Sequence, residues 1–154
     1  MAAFLFDASA LAKRYLNEAG SEWVRQLLRP SSAHTVFVAQ TTPVELIAAV
    51  TRRQRGGALT AADAENAISD MVYDFSIQYR VVGLSHAIVQ RAMDLACLHG
   101  LRGYDAIQLA TAVFTASYRF EQQAETVILV SSDGELNQAA AAEGLMVFDP
   151  NDVR

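Results

Sequence analysis

The sequence predicts an α/β protein built on a five-stranded parallel sheet with about seven helices. Two patterns in its 154 residues support this prediction. Short apolar runs are typical of strands that are buried on both faces of a sheet. These runs alternate with longer segments in which apolar residues recur every three or four positions, as they do in helices. Such alternation favours a parallel sheet with helices on both faces.

Five short runs are the predicted strands. The run at 126–130 has the strongest strand signal, because most of its residues are β-branched and none is charged. The first run ends at Asp7, where the pattern changes to that of a helix. The predicted strands occupy residues 2–6, 35–39, 80–83, 126–130 and 145–148.

Capping residues mark the starts of the predicted helices. Ser21 and Ser85 can each cap one helix. Another helix begins with a hydroxyl cap at Thr42, a proline at its first position (Pro43) and an acid in its first turn (Glu45). The helical segments start near residues 8, 21, 42, 59, 85, 105 and 135.

The apolar stripes of these helices predict which faces are buried. Residues 106–118 carry no charge, so we expect the helix there to be largely buried. We expect Cys97 to pack in the core, and Tyr104 either to pack there or to stack on a base. The stripes also assign Val72, Leu98 and Phe114 to the core.

Composition indicates a single domain spanning residues 1–154. An apolar fraction of 52% with 19% charged residues is typical of a globular protein, and the one cysteine excludes an internal disulfide. No run is long enough to span a membrane, so we expect a cytoplasmic protein without membrane contact.

Charge is unevenly distributed along the chain. The net charge of −5 argues against a protein that coats nucleic acid by bulk attraction. Residues 1–55 nevertheless contain seven Lys or Arg and four acids, a net charge of +3, whereas the remainder carries −8. Eleven of the twelve cations are Arg, which binds phosphate bidentately and also serves at protein interfaces, so both uses stay open.

Four carboxylates are predicted at one edge of the sheet. Asp7 ends the first strand, Glu45 lies in the first helical turn after the second, and Asp133 follows the fourth. The carboxyl ends of parallel strands share the edge at which open α/β sheets bind ligands. Asp105 would reach this edge from a junction between two helices. Each acid also has an ordinary alternative. Asp105 can cap its helix with Gln108 completing a capping box, Glu45 suits a capping box of its own, and Asp133 suits a turn.

Converging acids repel one another and have raised pKa values unless a cation lies among them. All-oxygen ligand sets suit Mg²⁺ or Mn²⁺, whereas Zn²⁺ prefers closely spaced His or Cys, which this chain lacks. One or two such ions can activate water and neutralise the charge that develops on a phosphoryl group. Phosphodiester hydrolysis is therefore the favoured chemistry. An aspartyl-phosphate phosphatase is less favoured, because Ser9 stands where that chemistry wants a second Asp.

Four segments resemble the PIN-domain superfamily and, within it, the VapC-type toxins of bacterial toxin–antitoxin pairs. They are FLFDASALAKRYLNE, PVELIAAVTRR, HGLRGYDAIQLATA and VSSDGELNQAAAAEGLMVFDP, and they follow the expected order. The resemblance implies a three-layer α/β/α sandwich with strand order 3-2-1-4-5 and Mg²⁺- or Mn²⁺-dependent endoribonuclease activity. It also implies an antitoxin that blocks the site, and a homodimer.

The same resemblance implies roles for individual residues. Asp7, Glu45, Asp105 and Asp133 match the four acids of the family's metal site. Ser9 matches the hydroxyl residue of its first motif, where it would orient Asp7 or the substrate.

Four basic residues are weaker candidates for guiding an RNA backbone, with a solvated surface as the alternative. They are Lys13, Arg14, Arg52 and Arg53. Three other functions stay open: a non-catalytic RNA- or protein-binding module on the same fold, a metal-dependent phosphatase and a deoxyribonuclease.

Overall fold

A computed structural model describes residues 1–153 of the chain as a parallel sheet between two helical layers. Its strands are β1 (Ala3–Phe6), β2 (Thr35–Ala39), β3 (Arg80–Val82), β4 (Val127–Val130) and β5 (Met146–Phe148). Their order across the sheet is β3-β2-β1-β4-β5, and every neighbouring pair is parallel. The five strands and the implied order 3-2-1-4-5 are confirmed.

Seven α-helices in residues 1–153 connect and cover these strands, as predicted. They are α1 (Ala8–Tyr15), α2 (Ser21–Leu27), α3 (Thr42–Arg55), α4 (Ala61–Ile77), α5 (His86–His99), α6 (Gly103–Glu121) and α7 (Gly134–Ala142). Two short 3₁₀ turns lie at Pro30–Ser32 and Pro150–Asp152. No helix in the described part of the chain is both long and apolar enough to cross a bilayer.

The central strand β1 is buried on both faces, because successive side chains of a strand point to opposite sides. Phe4 and Phe6 enter a core that α1 to α4 complete, with Leu46 and Met71 among its buried residues. The alternate residues of β1 enter a second core, which α5, α6 and α7 complete. That core includes Ala3, Leu5, Leu95, Leu109 and Leu136.

Several predicted core positions are exposed. Leu98 is 69% exposed, and Val72, Phe114 and Cys97 also face outwards. Each lies within one helical turn of a residue that packs on a core. The hydrophobic period identifies the centre of a buried stripe but not its width, so predictions at its margin fail.

Two predicted caps are also wrong. Thr41, which makes no side-chain hydrogen bond, is the N-cap of α3, and Thr42 is the first residue of the helix. Gly20, in the left-handed conformation, precedes α2 in place of the expected Ser21. The cap predicted at Ser85 is confirmed, since its hydroxyl accepts a hydrogen bond from Ile88 N at 3.2 Å.

Candidate active site

A cleft of about 640 Å³ opens at the carboxyl edge of the sheet. Its walls come from α1, α3, the start of α6 and the loop after β4. Three of the four predicted acids line it, namely Glu45, Asp105 and Asp133. The fourth, Asp7, is not part of the lining and is only 2% exposed. Parallel strands thus bring the predicted residues to one place.

Asp7 directly follows β1 and is the N-cap of α1. Its Oδ2 accepts hydrogen bonds from Ser9 N at 3.2 Å and from Ser9 Oγ at 2.5 Å. Ser131 Oγ donates to the same oxygen at 3.1 Å. Burial raises the pKa of the Asp7 carboxyl, although the hydrogen bonds from Ser9 and Ser131 work against this shift.

Two serine hydroxyls join the start of α1 to the loop after β4. Ser9 Oγ accepts a hydrogen bond from Ser132 N at 2.9 Å while it donates to Asp7. Ser131 Oγ accepts from Asp133 N at 3.1 Å while it donates to Asp7. Each hydroxyl therefore uses its proton on the buried carboxylate and its lone pair on a backbone amide.

Asp133 is the N-cap of α7. Its Oδ1 accepts a hydrogen bond from Leu136 N at 3.0 Å. Ser131 was not predicted to belong to the site. The sequence did contain a signal for it, because the polar pair Ser131-Ser132 directly follows the strongest predicted strand.

Glu45 stands in the first turn of α3, where its carboxylate meets α6. Gln108 donates from Nε2 to Glu45 Oε1 at 3.0 Å. Burial raises the pKa of Glu45 to about 7, against the lowering effect of this hydrogen bond. The negative charges of Asp7 and Asp105 also contribute to the raised pKa.

Asp105 is the third residue of α6, behind an N-cap, Arg102, that makes no side-chain hydrogen bond. The capping-box interpretation is wrong, because Gln108 is buried against α3 and does not reach back to the start of the helix. Burial, followed by the charges of Asp133 and Asp7, raises the pKa of Asp105 to about 6. Arg102 opposes this rise.

The acids influence one another electrostatically without forming a compact cluster. Across residues 1–153, no three His, Cys, Asp or Glu side chains are arranged closely enough to hold a metal ion. The predicted acids therefore share one cleft and influence one another's charge, but they do not meet in a cluster.

The four basic residues that were predicted to guide RNA fall into three groups. Arg52 and Arg53 line the cleft, and Arg53 forms an ion pair with Glu18. Lys13 also borders the cleft, but its ammonium is buried and donates to three acceptors. These are Glu18 Oε2 at 3.4 Å, Ala19 O at 2.8 Å and Asn151 Oδ1 at 2.9 Å. This arrangement argues against the predicted role of Lys13 on RNA.

Arg14 lies outside the cleft. Its Nε donates to Asp74 Oδ2 at 2.6 Å, in a network with Tyr15 and Tyr79 that joins α1 to α4. The prediction that Arg14 contacts RNA at the acidic edge does not fit this position.

Two residues at the start of α6 add to the cleft. Arg102 contributes a positive charge that was not predicted, and Tyr104 is 53% exposed in the cleft wall. The expectation that Tyr104 packs in the core is wrong, whereas its use as a stacking surface stays open. Arg102 could have been found as the basic residue three positions before Asp105.

Comparisons with known proteins agree with this architecture. The model of the PIN domain family matches residues 4–142. Ribonuclease VapC45 of Mycobacterium tuberculosis is 34% identical over 108 residues, which are 70% of this chain and 73% of that protein.

Solved structures share the fold at low sequence identity. A toxin–antitoxin complex from Klebsiella pneumoniae has a TM-score of 0.62 and 17% identity, covering 97% of this chain and 98% of the other. VapC20 of Mycobacterium tuberculosis, described as a sarcin–ricin loop cleaving toxin, has a TM-score of 0.62 and 16% identity. The match covers 93% of this chain and 96% of VapC20.

Proposed function

The chain belongs to the PIN domain family, and from this premise we propose that it is a metal-dependent endoribonuclease, the toxin of a toxin–antitoxin pair. One observation carries the proposal: the cleft brings together Glu45, Asp105 and Asp133, and burial together with neighbouring negative charges raises the pKa values of Glu45 and Asp105. Such a site gains stability when a cation binds. The ribonuclease name of the relative that is 34% identical supports RNA as the substrate.

The residues of the cleft fit Mg²⁺, with Mn²⁺ as the alternative, as one or two ions. The donors are carboxylate oxygens, and neither His nor Cys is among the residues that line the cleft. Hydrogen bonds from Ser9 and Ser131 all end on Asp7 Oδ2, which leaves Oδ1 free of these donors. When bound, a divalent ion supplies a polarised water and positive charge for the phosphoryl group.

Each acid has a role in this proposal. Asp7, Asp105 and Asp133 would hold the metal once their side chains draw together around it, and Ser9 and Ser131 fix the orientation of Asp7. Glu45 completes the site or positions the attacking water.

The arginines around the acids suit the RNA backbone. Arg52, Arg53 and Arg102 line the same cleft as the carboxylates, and Arg52 and Arg102 carry no ion pair in the described residues. Guanidinium groups bind phosphate oxygens in pairs of hydrogen bonds. Ser9 and Tyr104 are proposed to contact the substrate at the floor and the wall of the cleft.

An antitoxin and a second copy of the chain are the proposed protein partners. The Klebsiella structure with a TM-score of 0.62 is a toxin–antitoxin complex, which supports the first. An antitoxin segment that enters the cleft would cover both its acids and its arginines.

Purified wild-type protein and Asp7→Asn test the proposal with Mn²⁺ and with chelator. We expect the wild type to cut RNA only with the metal, to leave DNA and phosphomonoesters intact, and to arrest growth of a heterologous host. Asp7→Asn should neither cut RNA nor arrest growth. RNA binding without cleavage would favour the binding module, and cleavage of DNA or a phosphomonoester would favour the corresponding alternative enzyme.

A further inference from the structure

Gln108 is the one glutamine in the apolar body of α6, and its side chain is fully buried. Its Nε2 donates to Glu45 Oε1 and to Thr42 Oγ1, each at 3.0 Å. Its Oε1 is buried and has no hydrogen-bond partner among the described residues. A buried carbonyl oxygen without a partner is costly. The bonds made by Nε2 must therefore offset that cost.

We propose that Gln108 is a positioning residue for Glu45, an inference that rests on the function proposed above. Its amide holds Glu45 Oε1, which fixes the plane of the carboxylate and leaves Oε2 for the metal or the attacking water. The amide thereby sets the geometry of an acid on a different helix.

The placement of the four residues supports this role. Gln108 follows Asp105 by three positions, and Glu45 follows Thr42 by three, so each pair shares one face of its helix. The two faces meet through the Gln108 amide. One helix thus supplies an acid to the cleft and, one turn later, the group that orients the acid of α3.

The chemistry of an amide is suited to this task. A Lys or Arg at position 108 would neutralise Glu45 and compete with the metal for its charge. An apolar side chain would leave the carboxylate free to rotate. A neutral donor orients the carboxylate and preserves its negative charge for the cation, as residues behind metal ligands do in other proteins.

The competing explanation is that Gln108 only ties α3 to α6. Gln108→Met has similar length but no donor, and Thr115→Val is a matched control. Thr115 is also buried in α6, and its hydroxyl donates to Thr111 O within the helix. Calorimetric titration of Mn²⁺ into protein without RNA should show an affinity about 10-fold weaker in Gln108→Met. Thr115→Val should match the wild type.

A double-mutant cycle tests whether the effect passes through Glu45. In a Glu45→Gln background, Gln108→Met should cause no further loss of Mn²⁺ affinity, because the carboxylate that it orients is gone. If Gln108→Met does not fold, Gln108→Asn, one methylene shorter, should show the same weakening. RNA cleavage by the folded variant should fall in kcat more than it changes KM.

Wild-type Mn²⁺ affinity together with wild-type kcat in the folded Gln108 variant, or equal losses with and without Glu45, would overturn the positioning role while leaving the ribonuclease proposal intact. A wild-type protein that neither binds Mn²⁺ nor cleaves RNA would overturn the proposed function itself.

Discussion

Ser131 donates a hydrogen bond to Asp7 at 3.1 Å across 124 positions of the sequence. The contact is possible because β1 and β4 are neighbours in the sheet, with Phe6 paired to Val130. The two turns that follow these strands start at the same level. The position of the buried carboxylate is therefore determined by strand pairing together with the two serines.

Ser131→Ala should destabilise the protein and weaken the proposed metal site. The change removes a donor to a buried carboxylate, which costs about 1–3 kcal/mol in the free energy of unfolding. Urea denaturation and Mn²⁺ titration would measure the two effects. Ser76→Ala is the control, since Ser76 is an exposed residue that donates only to Tyr73 O. Equal stability of both variants would contradict a role for Ser131 in holding Asp7.

Asp105→Asn should raise the stability of the protein and lower its activity. Without metal, the variant should unfold at a temperature about 2–4 °C higher, because removing the charge ends the cost of its partial burial and its repulsion by the other acids. Cleavage should fall by about 10²–10³-fold or more, the scale for loss of a group that stabilises transition-state charge. Full cleavage by the variant would exclude Asp105 from the site.

Stability without metal should decrease as pH rises from about 4 to 7. The pKa values of Glu45 and Asp105 are raised to about 7 and about 6 in the fold, from ordinary values of 4.5 and 3.8. The folded state holds these protons more tightly than the unfolded state, so their contribution is full at low pH and is lost through this window.

Thermal unfolding in chelator across this pH range measures that decrease. In a plot of unfolding temperature against pH, Glu45→Gln should flatten the part at high pH. Saturating Mg²⁺ in place of the chelator should flatten the whole plot. If stability in chelator instead rises towards pH 7, then burial and repulsion do not raise the pKa values of these acids.

Arg52→Gln and Arg14→Gln should affect different properties. Arg52→Gln should weaken RNA binding and reduce its salt dependence by about one phosphate contact. Arg14→Gln should leave RNA binding unchanged and cost about 1–3 kcal/mol in unfolding free energy, because the largely buried Asp74 loses a charged partner. Salt-dependent RNA titrations and urea denaturation distinguish the two. A comparable loss of RNA affinity in Arg14→Gln would place Arg14 on the RNA after all.

The strands and the positions of three acids could be predicted from the sequence because these depend on local pattern and strand direction. Asp7, Glu45 and Asp133 each follow a strand, and parallel strands end at one edge. The strand order itself came from family resemblance, since apolar runs do not specify which strands pair.

Side-chain partners could not be predicted in the same way. The sequence places Gln108 three residues after Asp105, which suggests a cap, but the approach of α3 directs its amide to Glu45. Likewise, Lys13 lies in a basic segment, yet the chain returns at Asn151 to enclose its ammonium. Both outcomes depend on segments that are distant in sequence.

The amides of Ser132 and Asp133 donate to serine hydroxyls, not to the sheet. Their exchange with deuterated solvent therefore requires those side-chain bonds to open, even while β4 stays paired. In a nuclear magnetic resonance spectrum, these two amide signals would report on the surroundings of Asp7 in the folded protein. An occupant of the cleft could then be detected from its effect on two backbone protons, without any cleavage assay.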